Sequence, residues 1–137
     1  RPNGFVINNS HIHGITNQMA RGGHKLTDVL VKFSQALNNV KYIVCHNIKF
    51  DYHVICSELY RNKFHNTIAF INQKELICTM EKSIPLKVDG CLKAPKLIKL
   101  YKFLFGKEFE HQHNAKYDVL ATGEVFIELT KRKLICL

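Results

Sequence analysis

The sequence contains no run of about 18 or more apolar residues, and no charged-then-apolar N-terminal stretch ending in a small-residue cleavage site. No membrane span or export signal is therefore expected, and the chain reads as a cytoplasmic protein with no membrane partner. No C-x-x-C pair occurs; the five cysteines, Cys45, Cys56, Cys78, Cys91 and Cys136, are odd in number and scattered. That excludes a zinc ribbon or a thioredoxin-type redox motif and fits a reducing compartment. Cys45, Cys56 and Cys78 sit among apolar neighbours and read as small buried hydrophobes. There is no internal repeat, low-complexity tract or Pro/Gly/Ser-rich linker, so one domain over residues 1–137 is expected. Acidic residues are scarce: 11 Asp plus Glu face 20 Lys plus Arg, a formal net charge of +9. A balance of that sign concentrates polyanions near the surface, and nucleic acid is the first candidate. The one dense lysine set, Lys93, Lys96, Lys99 and Lys102, is spaced every third residue beside Leu97, Leu100 and Leu104, which also suits the solvated face of a helix.

What is present is enough apolar material for a core, 46% of 137 residues. Leu26, Val29, Leu30, Phe33 and Leu37 recur at three- and four-residue steps and predict an amphipathic helix, with Gly22-Gly23 punctuating its start. Tyr42-Ile43-Val44-Cys45 predicts a short buried strand ending at His46-Asn47. Asp51 then opens a second helix, with Val54, Ile55 and Leu59 following on its inward side and the helix dipole favouring the carboxylate in the first turn. Leu76-Ile77-Cys78-Thr79 is a second strand candidate. Pro95 and Gly106 bracket a helix carrying Leu97, Leu100, Tyr101 and Leu104. Asn114 is a good N-cap for a last long helix through Val119, Leu120, Val125, Phe126 and Leu129. Strands alternating with helices indicate an α/β fold.

Two stretches carry the candidate chemistry: His46-Asn47-Ile48-Lys49-Phe50-Asp51 after the first strand, and His113-Asn114-Ala115-Lys116-Tyr117-Asp118 opening the last helix. Each ends in an acid near a helix start, and a pair of carboxylates suits a hard divalent cation, which takes oxygen ligands. His113, just outside the last helix, is placed to take a proton from a water. Taken singly, each Asp is better accounted for as a dipole-complementing acid, and His113 as a solvated loop histidine. His11-x-His13 and His111-x-His113 are too sparse for a zinc site.

Jointly, the stretches resemble a family. His46-Asn47-x-x-Phe50-Asp51 resembles the second exonuclease motif of the DEDDh (DnaQ-like) 3′ to 5′ exonucleases, and His113-x-Ala115-x-x-Asp118 the third, including the histidine that distinguishes that branch. Cys78-Thr79-Met80, Lys93-Ala94-Pro95-Lys96-Leu97 and Leu104-Phe105-Gly106 resemble connecting segments of bacterial and viral members. Ile12-His13-Gly14-Ile15-Thr16 resembles a signature upstream of the first long helix. Within the group the chain is similar to the proofreading (epsilon) subunit of bacterial DNA polymerase III.

The resemblance implies an RNase H-like fold, a mixed sheet flanked by helices. It implies hydrolysis of terminal phosphodiester bonds, most readily of single-stranded DNA 3′ ends in proofreading or repair, with two Mg²⁺ or Mn²⁺ ions and possible association with a DNA polymerase. It makes Asp51 and Asp118 metal ligands, His113 the general base, and Asn47, Phe50 and His13 substrate-side residues, with ordinary core packing expected for Phe50.

The family's first motif, Asp-x-Glu, does not occur in this sequence. By the same alignment the first three strands of the fold are missing, so a truncated product or fragment with little activity of its own is expected, and the first residue being Arg1 agrees with that. Two other classes remain open. One is a non-catalytic remnant that binds nucleic acid or a polymerase; the other is a zinc-binding interaction module.

Overall fold

A computed structural model describes residues 6–109 and 114–137. By its internal contacts the chain divides into two compact units, one taking residues up to Lys41 together with Ile55–Lys74, the other Tyr42–Val54 and Glu75–Leu137.

The first unit is helical. Helices α1 (Ser10–His13) and α2 (Asn17–Gly22) are short, and the Thr16 side chain caps α2 by accepting from the Met19 N–H at 3.2 Å. Helix α3 (Leu26–Ala36) ends in a 3₁₀ turn, Leu37–Asn39. Gly22 closes α2 rather than opening α3, whose N-cap is Lys25. Of the five apolar positions predicted along this helix, Leu30 and Leu37 are buried while Val29 is 46% exposed. Leu30 and Leu37 lie two turns apart on one line, and Val29 stands one residue step, about 100°, off it. The unit's other buried residues are Leu59, near the end of helix α4 (Ile48–Arg61), and Ile71, ending α5 (His65–Ile71). A Ser34 to Thr67 hydroxyl pair at 2.9 Å joins α3 to α5.

The second unit holds the sheet. Strand β1 (Tyr42–Cys45) runs parallel to β2 (Glu75–Cys78), in register from Tyr42 opposite Glu75 to Cys45 opposite Cys78. Parallel neighbours need a long crossover, and here the chain between them passes through α4 and α5. Strand β2 stops one residue earlier than predicted, because Thr79 already begins helix α6 (Thr79–Lys82). Helix α7 (Leu97–Phe105) ends as its sequence demands: Gly106 takes the left-handed conformation, φ 70°, and its N–H returns to the Lys102 carbonyl.

Helix α8 (Ala115–Lys131) begins with Asn114, whose side chain accepts from the Lys116 N–H. Its buried stripe is Ala121, Val125 and Leu129, packed with Ile77, Val88, Leu100 and Tyr101, and Thr122 is buried beside it. Val119 and Leu120, predicted on the apolar face, are 69% and 56% exposed because they fall outside that i, i+4, i+8 stripe. Val54 is likewise 50% exposed on α4, while Ile48, in its first turn, is buried. The unit is a helix-rich α/β arrangement with a small parallel sheet, consistent with an RNase H-like exonuclease domain. Among the described residues no helix is long and apolar enough to cross a membrane.

Candidate active site

A cleft of about 730 Å³ opens in the second unit where the end of β1, the start of α4, the start of α7 and the first turns of α8 come together. Four of the residues singled out from sequence line it: Asn47, Phe50, Asp51 and Asp118. Asp51 reaches it because β1 ends at Cys45 and a two-residue turn leads directly into α4, so the carboxylate stands one turn inside the helix. Ile48, buried, fixes the rotation of that turn. Asp118 reaches it from the first turn of α8, one turn before Thr122, whose hydroxyl donates to the Asp118 carbonyl at 2.8 Å.

The expectation that Phe50 packs in the core is overturned. It is 65% exposed and lines the cleft, because it stands two residues from buried Ile48, about 200° around the helix. His13 belongs to the first unit, at the end of α1, where its Nδ1 accepts from the Ile15 N–H at 3.1 Å. His113 lies outside the described residues.

The turn after β1 is held by His46. Its Nε2 is 2.9 Å from the Pro95 carbonyl and its Nδ1 is 3.1 Å from the Thr79 hydroxyl. A carbonyl only accepts, so Nε2 carries the proton and Nδ1 accepts from Thr79. The His46 carbonyl in turn accepts from the Met80 N–H at 3.1 Å and the Cys78 thiol at 3.3 Å. One histidine therefore ties the end of β1 to the β2–α6 junction and to the segment that starts α7. Burial holds its imidazole below the usual histidine range, outweighing the Pro95 carbonyl and the Asp51 carboxylate, which pull the other way. Neutral and with both nitrogens engaged, His46 positions neighbours.

Cys45 also lines the cleft, and burial, then the adjacent Asp51 carboxylate, pushes its thiol up to about 12. It stays protonated at neutral pH and is no nucleophile. All five cysteines are free; Cys78 is buried and Cys45 and Cys56 are half-buried, close to the expected small hydrophobes, while Cys91 and Cys136 are exposed.

Sequence reasoning passed over several cleft residues. Lys96, at the N-cap of α7, was grouped with three other lysines as a solvated face. Two of those, Lys99 and Lys102, pair with Asp89 and Glu108. Phe109, Val119 and Phe126 add apolar walls; Tyr101 lies against Phe109 at 5.2 Å between ring centroids and donates its hydroxyl to Glu124. The signal for Lys96 was its place directly after Pro95 at a helix start, which becomes informative only once the Pro95 carbonyl is seen bonded to His46.

Asp51 and Asp118 offer hard oxygen donors to one cavity. Among the described residues no group of three or more His, Cys, Asp or Glu side chains is arranged to hold a metal ion.

Compared with known proteins, the chain matches the Exonuclease (RNase T) family model over residues 1–126. No curated protein and no solved structure matches it. The matched span takes in both strands and both acid-bearing helix starts, and the chain belongs to the exonuclease family of nucleases, whose substrate is nucleic acid.

Proposed function

We propose that this chain carries the greater part of a 3′ to 5′ exonuclease site that removes nucleotides from DNA ends. The observation that supports this most is the meeting of Asp51 and Asp118, from two separate helix starts, in one cleft of an exonuclease-family chain. Mg²⁺ keeps several waters and uses one or two protein carboxylates together with substrate phosphate oxygens, so two aspartates in a nucleic-acid cleft are a fitting donor set. A divalent cation held by them would neutralise charge that develops on the phosphoryl group during hydrolysis.

The protein's own groups do the rest. Asp51 and Asp118 present carboxylate oxygens from first helical turns. Exposed Phe50 offers its ring to the terminal base, since bases stack on aromatic faces without regard to sequence. Asn47, exposed at the turn before α4, contributes an amide to the same rim. His113, five residues before Asp118 in the chain, takes the proton from the attacking water. The net charge of +9 favours capture of the polyanion.

The test is release of mononucleotides from a 3′-labelled single-stranded DNA oligomer in Mn²⁺. It compares the chain, the chain extended upstream by a strand bearing Asp-x-Glu, and Asp118→Asn in each. Release by the extended form that Asp118→Asn abolishes is the expected result. An inert extended form that still binds the oligomer in a salt-dependent, metal-independent way would instead make this a non-catalytic nucleic-acid binder.

A further inference from the structure

A cleft with two carboxylates repels a polyanion unless something positive faces the strand. Among the residues lining this cleft, His46 has both ring nitrogens taken, by the Thr79 hydroxyl and the Pro95 carbonyl. Among the described residues Lys96 is the one lysine or arginine in that lining. Its placement is built rather than incidental. Pro95, directly before it, is buried and bonded through its carbonyl to His46 Nε2 at 2.9 Å, and the Lys96 carbonyl accepts the first helical hydrogen bond of α7, from the Leu100 N–H at 3.0 Å. The root of the lysine is thereby pinned to the turn that leads into Asp51. Lys99 and Lys102, on the same helix, are engaged by Asp89 and Glu108, whereas Lys96 makes no ion pair among the described residues.

We infer that Lys96 is the phosphate-binding residue of the cleft, its ammonium pairing with the phosphodiester nearest the 3′ end of the bound strand, and that His46 is the positioning residue that holds it there. This rests on the reading of the cleft as an exonuclease site. A lysine is a compact point charge well suited to a single phosphate. The interaction is made before and during hydrolysis alike, so its loss raises KM more than it lowers kcat.

The experiment is fluorescence anisotropy of a 5′-labelled single-stranded oligomer over a salt series in EDTA, where no hydrolysis intervenes. It uses the full chain, Lys96→Gln, Lys96→Arg and Lys93→Gln. Each protein is titrated with an ordinary oligomer and with one whose last 3′ linkage is an uncharged methylphosphonate. Lys96→Gln is expected to weaken binding of the ordinary oligomer roughly five-fold and to reduce the salt slope by about 0.7, the value of one phosphate contact on a single strand. On the methylphosphonate oligomer its effect should vanish, while Lys93→Gln behaves alike on both and Lys96→Arg keeps the wild-type pattern. Equal effects of Lys96→Gln on the two oligomers overturn the inference and leave the exonuclease reading standing. No salt-dependent binding by the full chain overturns the inference as well, while the exonuclease reading is judged by the Mn²⁺ hydrolysis test.

Discussion

The two acid-bearing helix starts are written almost alike, His46-Asn47-Ile48-Lys49-Phe50-Asp51 and His113-Asn114-Ala115-Lys116-Tyr117-Asp118, and their backbones obey the same pattern. Phe50 and Asp51 donate to the Asn47 carbonyl at 3.0 and 3.2 Å; Tyr117 and Asp118 donate to the Asn114 carbonyl at 2.9 and 3.0 Å. Both carboxylates therefore stand at the fourth helical position. What holds each start differs. The first hangs from a strand and is fixed by tertiary contacts: His46 bonded to Thr79 and Pro95, and Ile48 buried. The second has no strand before it among the described residues. It is fixed locally by the Asn114 side chain, with Ala115 exposed where Ile48 is buried. The same six-residue pattern thus delivers a carboxylate to the cleft by two routes, one long-range and one local.

The largest effect should come from removing the acids themselves. In a form with metal-dependent activity, Asp51→Asn and Asp118→Asn should each lower the hydrolysis rate by about a hundred-fold or more, the usual scale for losing one preorganised electrostatic group. A variant at one position that keeps its activity would break the equivalence of the two starts.

Removing the supports comes next and should separate them. His46→Ala deletes two hydrogen bonds and opens space, and should lower unfolding stability by about 2–3 kcal/mol. Asn114→Ala removes one cap and should lower it by about 1 kcal/mol. Denaturant midpoints at unchanged slope measure both; equal losses would mean that the strand-borne start has no special anchor.

Acid should also act on the first start. The His46 imidazole has a folded pKa below its unfolded value of about 6.5. The unfolded chain then takes up a proton that the folded chain resists, so this contribution to stability is complete above about pH 6.5 and declines as pH falls toward the lower folded pKa. Unfolding midpoints measured between pH 7.5 and 5 should fall less in His46→Gln than in the unaltered chain. Identical slopes would mean that the imidazole is not held neutral.

The smallest effect concerns α8 alone, which carries a helical glycine that α4 lacks. A Cβ added at Gly123 meets nothing within 4 Å. Gly123→Ala should raise stability by about 0.5–1 kcal/mol through helix propensity, read as a higher melting temperature.

Where local rules suffice, the chain could be read directly. Strand β1 falls at Tyr42–Cys45 as predicted, α7 stops at Gly106, and Asn114 caps α8. These are decided within a few residues by β-branched runs, a left-handed glycine and a capping amide. The pairing of Asp51 with Asp118 was legible only because the two motifs were recognised together. The side each helix buries was read less well: Val29, Val54 and Leu120 are exposed, and Phe50 and Val119 line the cleft. Hydrophobicity marks which residues can be buried, but a helix one residue step out of register with its neighbours buries a different set.

By itself, then, the sequence determined the end of α7, the cap of α8, the two strands to within a residue, the fourth-position aspartates and the family, because these rest on short-range geometry and on a pattern of residue types. Only the tertiary structure decided that His46 is a bonded, neutral brace, that Cys45 is an inert thiol beside Asp51, and that Lys96 alone of its lysine set enters the cleft. Each of those depends on what lies across a parallel strand pair or at the start of a distant helix. Burial, which shifts an imidazole or a thiol, arises from atoms far away in the chain and leaves no mark in the residues on either side.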